Sequence, residues 1–130
     1  MIGKEDFSFS RRRRLDGPNA FAPVFAYKCW LTGRWFQVFV KPSGAVSARL
    51  GVVVSKRIMK RAVTRNAFKR LTRDVFRQSC ATIVGIDFVV RPRAVVDSVD
   101  VAVARAELKG LFQRSVGQCL NRQRQHAIAV

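Results

Sequence analysis

The 130-residue chain is poor in the groups from which enzymes are built. Its single histidine, His126, stands close to the C-terminus, so neither a Ser/His/Asp nor a Cys/His nucleophile arrangement can be assembled around it. Asp and Glu together number eight, and the well-spaced ones, Asp74, Asp87, Asp97, Asp100 and Glu107, show no paired pattern for holding two metal ions or dividing acid and base roles. Neither a phosphate-cradling Walker loop nor a dinucleotide glycine pattern is present, which leaves no motif for a small-molecule substrate. The three cysteines, Cys29, Cys80 and Cys119, are too far apart for a C-x-x-C metal pair and too few for an even disulfide framework. They read as small core residues in a reducing compartment. Apolar runs such as "LGVVV" and "FVV" have the length of a strand, far short of a bilayer span. "MIGKEDFSFSRRRR" carries no apolar segment after its first charges, so it is not a secretory signal, and a cytoplasmic protein with no membrane contact is expected.

What the chain has in excess is positive charge, +17 with 25 Lys and Arg. So many cations repel one another in a compact state unless a polyanion neutralises them. A hydrophobic fraction of 48% argues that the body nevertheless folds, as one domain. The pattern therefore points to a nucleic acid and away from a nuclease that acts alone.

Along the chain, residues 1–14 end in the run Arg11 to Arg14 and read as a flexible basic arm. "LDGPNAFAPVF" follows, with a possible cap at Asp16, Pro18 in a first turn, and Phe21 and Phe25 four residues apart on one face. This is a short helix that Pro23 should shorten or kink. "YKCWLT" and "WFQVFV" flank a Gly-containing turn as a hairpin, with Phe36, Val38 and Val40 on one side and Gln37 and Phe39 on the other. "ARLGVVVS" and "IDFVVRP" are two further strands, and "DSVDVAVARAELKGLFQRSVGQCL" is a long helix with Leu108, Leu111, Phe112 and Val116 on one face. The domain spans 15–120, and the tail 121–130 is expected to be disordered.

Between the last two strands lies "SKRIMKRAVTRNAFKRLTR", residues 55–73, which holds eight Lys or Arg and no carboxylate. It reads as a helix anchored by Phe68, Leu71 and Val75. Arg61, Arg65, Lys69 and Arg73 form one i, i+4 row with Asn66 and Arg70 beside it. Like charges at that spacing cost an isolated helix about 0.2 to 0.5 kcal/mol per pair, a cost that neither packing nor propensity demands. Phosphate binding supplies the reason. A strand precedes this helix where a helix-turn-helix reader of duplex DNA would place a first helix. The aromatic residues Phe21, Phe25 and Phe39 offer stacking planes for unpaired bases, with core packing as their alternative.

The segment "ARLGVVVSKRIMKRAVTRNAFKRLTRDVFR" resembles the signature of the bacterial ribonuclease P protein subunit, in which an R-x-G strand runs into S-K-K and then an R-N-R-x-K-R-L-x-R helix. Ala67 stands where that pattern has its second Arg. The resemblance implies a single α+β domain, an α/β sandwich of order α-β-β-β-α-β-α. Its four-stranded sheet would carry a left-handed βαβ crossover, against the usual hand. It also implies a protein that assists a catalytic RNA subunit, with bound Mg2+, in removing the 5′ leader from precursor tRNA, and that has no catalytic residue or metal ligand of its own. By position, Arg61, Arg65, Asn66, Lys69, Arg70 and Arg73 would meet the RNA subunit, the RNase P RNA. Phe21, Phe25, Phe39, Arg49, Lys56 and Arg57 would meet the leader of the precursor tRNA. A ribosomal or general RNA-chaperone protein, with no part in cleavage, is the competing reading.

Overall fold

The computed structural model describes residues 13–129, so most of the basic arm lies outside the described residues. The elements are α1 (Pro18–Ala26), β1 (Trp30–Thr32), β2 (Phe36–Pro42), β3 (Arg49–Val52), α2 (Ala62–Ser79), β4 (Ile86–Pro92) and α3 (Val101–Ala129), the last preceded by a 3-10 turn, Ser98–Asp100. The order is the expected α-β-β-β-α-β-α in one α+β domain. The strands form one sheet, β1-β2-β4-β3, antiparallel except for β3 beside β4.

The period-2 pattern of β2 divides the molecule into two layers of core. Phe36, Val38 and Val40 point to the larger core, shared with Phe88 and Val90 of β4, Phe68, Val75 and Phe76 of α2, and Leu108, Leu111 and Phe112 of α3. Phe76, Phe88 and Phe112 meet edge to face there, with ring centroids 5.4 to 5.9 Å apart. Phe39 points the other way and joins Val89, Val24 and Leu15 under α1. All three cysteines are buried thiols. Burial pushes the Cys80 thiol up to about 12.

Four local features differ from the sequence reading. Gly17, with φ 87°, occupies the N-cap of α1 in place of Asp16, and α1 continues through Pro23 to Ala26. The carbonyl that Pro23 cannot serve belongs to Asn19, an exposed residue. Residues 55–61 are not helical: the Ser55 carbonyl accepts the N–H of both Ile58 and Met59, Met59 is buried, and α2 starts only at Ala62. Arg13 and Arg14, placed in the arm by sequence, belong to the fold. Arg13 donates to the Cys80 carbonyl at 2.9 Å and lies 4.9 Å from the Phe76 ring centroid, while Arg14 bridges to Leu50 in parallel and the Leu15 N–H donates to the Leu50 carbonyl. Finally, α3 runs to Ala129, where a disordered tail is expected from Asn121.

One carboxylate fastens the hairpin to the helical layer. Glu107 of α3 accepts the backbone N–H groups of Arg34 (2.6 Å), Trp35 (2.9 Å) and Phe36 (3.3 Å). The same approach crowds Gly33, whose Cβ would stand 2.5 Å from the Glu107 carboxyl carbon, so a side chain there would push the carboxylate away from its three donors.

Candidate nucleic-acid interface

The sheet face under α1 is built in three rows by strand register. Phe39, Val89 and Gly51 form the middle row, Gln37 and Arg91 with Val53 one end, and Lys41, Asp87 and Arg49 the other. Helix α1 covers the middle row. Phe21 lies directly on Gly51, where a Cβ would meet the ring at 2.4 Å. Phe25 stands edge-on to Phe39, centroids 4.7 Å apart. Both Phe21 and Phe25 keep part of their surface exposed, whereas Phe39 is 6% exposed and acts as the floor beneath them.

Two groups that sequence reasoning passed over complete this face. The Arg91 guanidinium sits 4.9 Å from the Phe39 centroid and 5.8 Å from that of Phe25, and its Nε donates to Gln37 Oε1 at 2.7 Å. Trp30, 45% exposed, leans on Phe39 from β1 at 5.8 Å. Strand parity puts Arg91 beside Val89 and Asp87, but only the pairing of β4 with β2 reveals that it faces Phe39. Beyond α1, Arg57, Arg91, Arg93, Gln37 and Ser55 line an open hollow of about 430 Å³. Lys56 and Arg57 are exposed there in the turn after β3. Arg49 is differently employed: its Nε and Nη2 each donate at 2.8 Å to the two oxygens of the buried Asp87. That bond raises the arginine's pKa further.

On the opposite side, α2 buries Phe68, Thr72, Val75 and Phe76 and turns its cations outward. Arg61, Asn66, Arg70 and Arg73 are exposed, and Lys69 is half-buried. Arg65 has a structural task as well: its Nη1 donates to the carbonyls of Met59 (3.0 Å) and Lys60 (2.8 Å), securing the bend that leads into α2. Asp74 accepts from Arg77 at 2.6 Å and from Arg105 of α3. The Arg105 and Arg77 guanidinium groups hold its carboxyl below the usual carboxylate range.

The two surfaces meet around the edge of β3. Lys69 and Arg73 of α2 share a hollow of about 140 Å³ with Phe21, Arg14 and Asp16. Among the described residues no three His, Cys, Asp or Glu side chains gather into a metal-binding set. Asp74, Asp87 and Glu107 are committed to arginines or backbone N–H groups, so these three present no open carboxylate to a metal ion. No helix of the described residues is long and apolar enough to cross a membrane.

A small α+β sandwich carrying one cationic helix and one aromatic cleft defines a class of RNA-binding proteins. The family model described as Ribonuclease P matches residues 9–116. The ribonuclease P protein component of Chromobacterium violaceum is 37% identical over 108 residues, 83% of this chain and 89% of that one. Its counterpart in Azoarcus sp. is 38% identical over 109 residues, 84% and 91% of the two chains. Among solved structures, the RNase P protein of Thermotoga maritima superposes with a TM-score of 0.69 at 32% identity, over 78% of this chain and 96% of that one. The RNase P protein of Staphylococcus aureus, at 22% identity and a TM-score of 0.61, shares the fold. The chain belongs to the ribonuclease P protein family and serves as the protein subunit of RNase P, a tRNA-processing ribonucleoprotein.

Proposed function

We propose that the two surfaces divide the work between two RNAs. The outer side of α2, through Arg61, Arg65, Asn66, Lys69, Arg70 and Arg73, binds the catalytic RNA subunit. The cleft of Phe21, Phe25 and the Arg91-covered Phe39, with Lys56 and Arg57 at its open end, binds the single-stranded 5′ leader of precursor tRNA. The continuity of the two through the hollow shared by Lys69, Arg73 and Phe21 carries this reading, because a leader in the cleft then lies against the RNA subunit. Cleavage belongs to the RNA subunit and its Mg2+, and the protein contributes cations that reduce repulsion between two polyanions. The complex works in the cytoplasm. Arg49 enters only indirectly, by fixing one end of the sheet through Asp87.

The test is a titration of the RNA subunit across KCl concentrations together with leader-dependent binding. Arg70→Ala should lower the slope of log K against log salt by about 0.7 to 0.9, the value of one phosphate contact. Phe21→Ala should weaken binding of precursor tRNA to the holoenzyme while sparing mature tRNA. An unchanged slope would remove α2 from the RNA interface, and equal losses for both tRNAs would reduce Phe21 to a packing residue. Cleavage of precursor tRNA by the protein without its RNA subunit would overturn the division of labour as a whole.

A further inference from the structure

The side of α2 that faces α3 holds a second, larger trough of about 790 Å³. Its walls carry Lys69, Arg70, Arg73 and Arg77 from α2 and Arg105 from α3, against the single carboxylate of Asp74. At one end, Ala67, Leu71 and Val101 are shared with an apolar notch of about 90 Å³, closed by Met59, Phe68 and Val96. Cations along a trough with an apolar notch at its end match the two halves of an unpaired nucleotide, phosphate and base. A second copy of this chain is a poor occupant, since each carries a formal charge of +17. The forks of Arg77 and Arg105 are also pre-positioned, because Asp74 holds one with each oxygen.

We infer that the α2–α3 trough seats an unpaired stretch of the RNA subunit, with Arg105 as a phosphate contact outside α2 and a base edge in the notch at Val101. The inference rests on α2 being the RNA-subunit face and extends that face onto a second helix. Asp74 acts as a positioning residue, ordering two guanidinium groups that would otherwise sample many rotamers before binding.

The experiment is the same salt titration of the RNA subunit with the full-length protein. Arg105→Gln should lose about 0.7 to 0.9 of slope, as Arg70→Ala does, whereas Arg114→Gln, the same charge change on α3 outside the trough, should keep the wild-type slope. Val101→Thr should weaken binding several-fold at an unchanged slope, because a lost apolar contact releases no counterion. Arg105→Lys keeps the charge and a donor for Asp74, so its slope should stay at the wild-type value with a wild-type unfolding midpoint. If Arg105→Gln keeps its slope, or merely matches Arg114→Gln, the trough is not a binding site. If Val101→Thr binds as tightly as wild type, the notch holds no base. A slope loss confined to Arg70→Ala would overturn this inference and leave the α2 interface standing, whereas no loss in either arginine variant would overturn both.

Discussion

Gly51→Ala tests the link between fold and cleft most directly. The added methyl would stand 2.4 Å from Phe21 Cε1, 2.9 Å from Cδ1 and 3.2 Å from Leu15 Cβ, so the ring must leave the sheet. Overpacking of this kind costs about 1 to 3 kcal/mol. Replacing glycine in a strand returns about 0.5 to 1 kcal/mol of backbone entropy, for a net loss between about 0 and 2.5 kcal/mol. In a Phe21→Ala background the ring is gone and only the 3.2 Å approach to Leu15 remains, so the same substitution should be near neutral or slightly stabilising. Urea unfolding of the four proteins in this cycle should give a coupling of about 1 to 2 kcal/mol, within the range for residues in contact. Gly51→Ala alone should also erode the preference of the holoenzyme for precursor over mature tRNA. Equal costs of Gly51→Ala in the two backgrounds would refute the placement of Phe21 on Gly51.

Glu107→Gln should lower stability by about 1 to 3 kcal/mol in chemical denaturation, because three hairpin N–H groups lose a charged acceptor. Asp87→Asn should cost a similar amount, about 1 to 3 kcal/mol, by depriving Arg49 of its fork partner, and Arg49→Lys should recover less than half of the pair. The folded-state pKa of Asp74 is depressed, so its contribution is complete above the unfolded carboxyl value near pH 4 and fades as pH falls through the folded one. Asp74→Asn should therefore flatten the acid limb of a stability-pH curve below about pH 4 and leave the neutral region parallel to wild type. Cys80 works in the opposite sense: its raised pKa contributes fully below about pH 8.5 and is lost at higher pH, so Cys80→Ala should reduce the alkaline fall in stability measured from pH 8 to 10.

The alternation in β2 was enough to assign Phe36, Val38 and Val40 to one core and Phe39 to the other, because period 2 is a property of the strand itself. The stripe of Phe68, Leu71 and Val75 likewise located the buried side of α2, with Thr72 and Phe76 widening it. The start of α2 was not legible, since the i, i+4 row of cations continues backwards through Arg61 and Arg57 without a break. What ends the helix is tertiary: Met59 is drawn into the core and Arg65 fastens the consecutive carbonyls of Met59 and Lys60 just ahead of the helix. In α3 the apolar face gives out before Asn121, but Gln and Arg are good helix formers and the backbone continues. For the interface, sequence marked the cations of α2 and the two phenylalanines of α1. It could not show that Arg91 covers Phe39, that Asp87 occupies Arg49, or that Arg105 reaches α2, because each depends on a pairing between distant elements.

The attachment of Arg14 and Leu15 to β3 bears on how this protein avoids its own kind. An outer strand with bare carbonyls is a template for further strands and for aggregation. Here the outer side of β3 is occupied at Leu50 by the preceding segment, and the opposite outer strand, β1, is only three residues long. A chain shortened to begin after Leu15 would uncover the Leu50 carbonyl and the parallel, slowly formed β3–β4 pair together. It should then show concentration-dependent light scattering during refolding under conditions in which the full chain stays clear.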